Sequence, residues 1–297
     1  QAIGPMALGR RGATAMVAAG TLALVTGTLV LGALVALAQM PTAMSQAAPP
    51  ELREVRDPQS YEALVYEPKG AGAPWPLLLY LHGAGEQGGE LHEILSEGAT
   101  GTPPVALSQS VALEGLAERF VVVAPHTRRG WRPEVLSKFL DFLLSSKSGL
   151  NLDPSRLYVT GHSMGGYGAL QVAASLRRFA AAVPVAPAGT PRATALAGVP
   201  VWAFHGRNDV IVPSYYSEEL VGELRRAGAT VEDARLTLYE EAPAPPGWPS
   251  YFGHASTIPA YATPELYDWL LAHTLDGRGP PAETRVPREL VATRPHG

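Results

Sequence analysis

Residues 157–168 read Leu-Tyr-Val-Thr-Gly-His-Ser-Met-Gly-Gly-Tyr-Gly, and they carry the clearest chemistry in the chain. Leu157–Thr160 form a short β-branched and aromatic run, the composition of a buried strand. Gly161-His162-Ser163-Met164-Gly165 fits G-x-S-x-G, and Tyr167–Leu176 continue with small and apolar residues at helical spacing. The pattern predicts a strand, a tight turn and a helix, with Ser163 at the apex. A serine hydroxyl is a poor nucleophile unless it is exposed, rigidly held and paired with a base. A sharp strand-to-helix turn exposes it, and the helix N-terminus behind it favours developing negative charge.

A serine nucleophile needs a histidine and an acid. Val201–His205 read as a buried strand that runs into the turn-rich loop Gly206-Arg-Asn-Asp-Val-Ile-Val-Pro213, so Asp209 falls just past a strand's carboxyl end. Ligands bind there in open α/β sheets. After the next strand candidate comes a Pro/Gly-rich loop and then Tyr251-Phe-Gly-His254, which places His254 as the base. The other histidines fit less well. His162 adjoins Ser163 and cannot easily turn its ring to the same hydroxyl. His205 ends a strand near the core, and His273 is expected to face solvent on the last helix. His126 ends the run Phe120–Ala124 and is the runner-up for substrate contact, not for base. The apolar run Pro76–Leu81 leads straight into His82-Gly83-Ala84-Gly85-Glu86, where glycines leave backbone N–H groups free to meet a substrate oxygen. The N–H groups of Ala84 and Met164 are the expected oxyanion donors.

These segments together resemble a known family. His82-Gly-Ala-Gly-Glu-Gln-Gly88, Gly161-His-Ser-Met-Gly-Gly166, Trp202-Ala-Phe-His-Gly206 with Asp209, and Gly253-His254 with Ala260-Tyr261 and Leu266–Leu271 carry the likeness. It is to the secreted bacterial α/β-hydrolases of the predicted-peptidase group, which are close to feruloyl-esterase and polyhydroxybutyrate-depolymerase-like esterases. The resemblance covers about Tyr61 to His273. It implies an α/β-hydrolase fold and a Ser163, Asp209, His254 triad. Where the family carries a tryptophan shortly after the histidine, this chain has Ala255-Ser-Thr-Ile258.

The elements that must position these residues alternate along the chain. Strands are expected at Tyr61–Tyr66, Leu77–Leu81, Phe120–Ala124, Arg156–Thr160, Ala182–Ala186, Val201–His205 and Arg235–Tyr239. Helices are expected at Pro133–Ser146, Ser163–Arg177, Ser214–Ala227 and Pro264–His273. This alternation predicts an α/β fold, a mostly parallel sheet with helices on both faces. About 14 residues separate the strands ending at Ala186 and starting at Val201, too few for a large lid, so an open cleft is expected. Its expected rim residues are Glu86, Gln87, Trp131, Val210, Ile211 and Trp248, with Met164 beside the nucleophile.

Composition narrows the remaining choices. The chain has 297 residues, a net charge of −4 and no cysteine. That excludes a disulfide, a thiol nucleophile and a lipoprotein anchor, and gives no basis for nucleic-acid binding. The eight histidines show no metal-ligand spacing, so neither metal nor cofactor is expected. Arg10-Arg11, an uncharged stretch from Gly12 to Ala38 and Ala36-Leu-Ala38 before Gln39 predict a signal peptide or membrane anchor over residues 1–38. The expected organisation continues with a linker over 39–57, the catalytic domain over 58–275 and a disordered tail over 276–297. The expected protein is a monomeric secreted or periplasmic serine hydrolase of bulky carboxylic esters, feruloyl or polymeric among them. It meets the membrane only through an uncleaved N-terminal segment. The alternatives are a secreted serine peptidase on the same fold and a non-catalytic binding module.

Overall fold

The computed structural model describes residues 52–70 and 72–276, so the signal or anchor segment 1–38 and all but Asp276 of the expected tail lie outside the described residues. One eight-stranded sheet organises the described chain. Its strands are β1 (Arg53–Arg56), β2 (Glu62–Tyr66), β3 (Trp75–Leu81), β4 (Val121–Pro125), β5 (Leu152–His162), β6 (Ala181–Val185), β7 (Val201–Gly206) and β8 (Ala234–Tyr239). They lie in the order β1-β2-β4-β3-β5-β6-β7-β8. β1 pairs antiparallel with β2 and β2 antiparallel with β4, and every other pairing is parallel.

Parallel strands covered on both faces read as continuous apolar runs. In β3, Leu77, Leu79 and Leu81 enter one core and Leu78 and Tyr80 the other. The helices are α1 (Pro103–Ser108), α2 (Glu114–Ala117), α3 (Pro133–Leu144), α4 (Met164–Leu176), α5 (Tyr215–Arg226), α6 (Thr257–Tyr261) and α7 (Pro264–Leu271). α3, α4 and α5 close the first core with Phe139, Leu170 and Leu220. α1, α2, α6 and α7 close the second with Leu107, Leu116, Tyr261 and Leu270. Pro133 and Pro264 open their helices, where a missing N–H costs nothing. The element order, the sheet and the two covered faces are those of an α/β-hydrolase. Between β6 and β7 there is only a 3-10 turn at Ala193–Leu196, and no large lid.

The structure adds elements to those expected. Residues 53–56, assigned above to the linker, form β1. Only Val55 of this strand is buried, and its charged neighbours suit a sheet edge. The crossover from β3 to β4, for which no element was expected, carries three 3-10 turns (Ala84–Glu86, Leu91–Leu95, Glu97–Ala99) followed by the short α1 and α2. None is long enough to show a helical period in sequence.

Candidate active site

Ser163 lies between β5 and α4 with φ 55° and ψ −114°, a conformation that is strained for a residue with a side chain. Its surroundings hold it there. The Ser163 N–H donates to Val185 O at 2.9 Å, and its carbonyl accepts from Tyr167 and Ala188 N–H, both at 3.0 Å. The turn sits directly on the end of β3: a Cβ at Gly165 would lie 1.8 Å from Leu81 O, and one at Gly161 2.5 Å from the Gly165 carbonyl carbon. Glycine at both positions is therefore a requirement of close backbone approach.

Asp209 follows β7. Its Oδ1 accepts from the N–H groups of Ile211 and Val212, both at 2.9 Å, which aims Oδ2 at His254 Nδ1, 2.8 Å away. His205 Nε2 lies 3.5 Å from the same oxygen. Burial alone would push the Asp209 carboxyl up. The hydrogen bonds from His205 and His254, the charge of His254 and the Val212 N–H outweigh burial and hold it well below the usual carboxylate range. Gly253 takes φ 78°, and a Cβ there would fall 2.3 Å from Asp209 N, so the glycine brings the two loops together.

His254 Nε2 lies 3.0 Å from Ser163 Oγ. With Nδ1–H donated to the carboxylate, the Nε2 lone pair faces the serine hydroxyl. His162, next to Ser163, does not compete for it: its Nε2–H donates to the His254 carbonyl at 2.7 Å. Burial first, and repulsion by His254 second, lower the His162 pKa to about 3, so the ring is neutral. His205 is fully buried between Ser217 Oγ at 2.8 Å and Val212 O at 2.9 Å.

Ser163 and His254 line a cleft of about 660 Å³, and the Asp209 carboxylate is buried behind His254. Of the expected oxyanion pair, Ala84 lies on the cleft wall at the start of its 3-10 turn. Met164 begins α4 and packs its side chain against the first core, leaving its backbone N–H as the group of interest. Of the expected rim residues, Glu86, Ile211 and Trp248 line the cleft. The other three do not. Trp131 is buried, stacked edge-on against His82 at 4.9 Å, and its Nε1–H donates to His82 O at 3.1 Å. Gln87 closes the 3-10 turn with its N–H on Ala84 O, and Val210 points to solvent beyond the cleft with its N–H on Phe252 O. His126, the runner-up for substrate contact, is buried behind the wall, with Nε2–H donated to Glu86 O at 3.0 Å. His273 is half-buried against Trp269 rather than facing solvent. The sequence reading missed Glu93, Ser96, Glu97, Pro245, Pro246 and Tyr251, all of which line the cleft.

Among the described residues, no group of three or more His, Asp or Glu side chains could hold a metal. The likeness to known proteins has three parts. A family model of PET hydrolase-like proteins matches residues 123–223, which include Ser163 and Asp209 but neither His254 nor the 3-10 turns after β3. A thermostable esterase of known structure is 26% identical with a TM-score of 0.58, covering 75% of this chain and 63% of its own. This chain therefore spans less than two thirds of that esterase. Est1E from Butyrivibrio proteoclasticus is 14% identical over 74% of this chain and 99% of its own, with a TM-score of 0.49. No curated protein sequence matches the chain.

Proposed function

We propose that this α/β-hydrolase is a serine hydrolase of carboxylic esters, working through an acyl-enzyme. The observation that carries the reading is the bridge made by His254, 2.8 Å from Asp209 and 3.0 Å from Ser163. His254 takes the Ser163 proton as Oγ attacks the ester carbonyl, and Asp209 fixes the tautomer and stabilises the imidazolium that results. The N–H groups of Ala84 and Met164 hold the oxyanion. His254 then gives its proton to the departing alkoxide, and water activated by the same imidazole releases the acid. His162 and His205 act on this chemistry through others, one holding the His254 backbone and the other steadying Asp209.

The proposed substrates are bulky esters, polymeric ones among them. The half-exposed Trp248 and the exposed Ile211 at the cleft, the short β6–β7 connection and the PET hydrolase-like match support this. Export fits the same reading, because large esters lie outside the cell, and the support is Arg10-Arg11 ahead of the apolar run.

The test is hydrolysis of p-nitrophenyl butyrate and of a soluble aromatic diester by the native chain and by Ser163→Ala. The variant should keep its fold and lose on the order of 10⁴–10⁶ in turnover. Retention of more than about 5% of native turnover contradicts the assignment, because removing the nucleophile must remove the acyl-enzyme route.

A further inference from the structure

The side chains lining the cleft include carboxylates and no cation. Glu86, Glu93 and Glu97 all line it, and no lysine or arginine does. Among the described residues, no ion pair includes Glu93 or Glu97. Carboxylates on a solvated surface are ordinary. Glu86 is not of that kind: it is 6% exposed, it lines the cleft, and its Oε2 has no hydrogen-bond partner among the described residues. A buried, unpartnered carboxyl oxygen is costly to leave unsatisfied.

Burial pushes the Glu86 carboxyl up, the backbone N–H groups of Glu86 and Gly83 pull it down, and no cationic side chain pairs with it. His82 Nδ1 is 3.9 Å from Oε2, but its hydrogen goes to Gly83 O at 2.7 Å, and its Nε2 accepts the Thr127 N–H at 3.1 Å. That ring is neutral, since burial lowers its pKa to about 4. Oε2 lies 3.3 Å from the point where a Gly83 Cβ would stand, and His162 Nδ1 lies 3.5 Å from the same point. His162 gives its only hydrogen to His254, so Nδ1 is also an acceptor. A group docking beside Gly83 thus meets two acceptors, which favour positive charge there.

Aromatic rings line the same cleft. Trp248 is 50% exposed and stacks edge-on with Tyr251 at 5.2 Å. Trp248 Nε1 lies 3.3 Å from the position of a Gly98 Cβ, and Glu97 Oε2 lies 3.9 Å from that of a Gly247 Cβ. The Glu97 carboxylate and the Trp248 ring are therefore neighbours across two loops. Aromatic faces next to carboxylates are how proteins hold ammonium groups.

We infer that the cleft selects esters carrying a cationic ammonium group, attracted by Glu86, Glu93 and Glu97 and covered by the rings of Trp248 and Tyr251. The inference rests on the ester-hydrolase reading and names a substrate class for it. Two isosteric sets test it. The acetates of choline, 3,3-dimethylbutanol and 3-hydroxypropionate place a positive, neutral or negative group on the alcohol side. The p-nitrophenyl esters of 4-trimethylammoniobutyrate and 5,5-dimethylhexanoate do the same on the acyl side for positive and neutral groups. In at least one set the cationic ester should exceed its neutral isostere in kcat/KM by about tenfold at low ionic strength. That ratio should fall severalfold in 0.5 M salt, as screening requires. It should fall towards one in Glu93→Gln/Glu97→Gln, two exposed positions that keep the test available should Glu86→Gln fail to fold. Neutral esters hydrolysed as well as cationic ones in both sets overturn the inference and leave the ester-hydrolase reading standing. A chain that hydrolyses none of the five overturns both.

Discussion

Replacing Gly165 by alanine isolates the contact that shapes the serine turn. An alanine Cβ would stand 1.8 Å from Leu81 O, 2.5 Å from Leu81 C and 2.6 Å from His82 O. Cβ atoms do not come within 3.0 Å of such atoms, so the turn and the end of β3 must separate by at least 3.0 − 1.8 = 1.2 Å. All the clashing atoms belong to buried backbone, and Leu81 is paired with Gly161 in the sheet, so no flexible side chain can yield. Overpacking of this kind costs about 1–3 kcal/mol. A shift of 1.2 Å also outruns the Ser163–His254 hydrogen bond of 3.0 Å, and a misplacement of about 1 Å costs on the order of 10² in rate. Urea unfolding gives the first number and kcat/KM on p-nitrophenyl butyrate the second. Gly88→Ala is the control, because a Cβ there meets nothing within 4 Å. If Gly165→Ala matches native protein within about 0.5 kcal/mol and twofold in rate, the requirement for glycine is wrong.

Four further outcomes are expected. In Asp209→Asn the amide nitrogen facing His254 Nδ1 forces the hydrogen onto Nε2, and turnover should drop on the order of 10⁴ in steady-state assays, with wild-type-like turnover refuting the assignment. His82 and His162 have folded pKa values lowered to about 4 and 3, so the unfolded chain binds more protons below the ordinary value of about 6.5. Stability should fall from pH 6.5 towards 4 by on the order of 1.4 kcal/mol per pH unit per histidine, and a urea midpoint flat across that window would count against both. Asp209, whose pKa is depressed, contributes stability that is present above about pH 4 and lost as pH falls further, so the native-minus-Asp209→Asn difference should shrink below pH 4. N-terminal sequencing of exported protein should read from Gln39 or within a few residues of it, and a full-length cytosolic product refutes export.

What the sequence made legible is what strand endings determine. Ser163, Asp209 and His254 each follow a β-rich run, and parallel strands deliver their carboxyl ends to one edge. Lone aromatics carried no such information. Trp131 and Trp248 look alike in sequence, yet Trp131 packs on Gly168, whose Cβ would lie 2.7 Å from its ring, and only Trp248 reaches the cleft. Glu93 and Glu97 sit in 3-10 turns without periodicity, so only the folded crossover brings them to the wall. For His162 the local argument stops at its inability to share the serine hydroxyl. Its actual partner, the His254 carbonyl, lies 92 residues away. Strand β1 has four residues and one buried side chain, too little to stand out from a polar linker.

The two bonds of the His254 bridge span 91 and 45 residues. Time therefore enters the behaviour of this molecule. A chain emerging from the ribosome carries its serine long before its histidine, and the last contributor is synthesised only after the residues of β8. Until the whole succession of crossovers closes, no fragment holds the three groups together, because contacts this distant form late in folding. A nascent or unfolded chain is thus inert towards esters around it, and the appearance of turnover during refolding is a clock for completion of the last crossover.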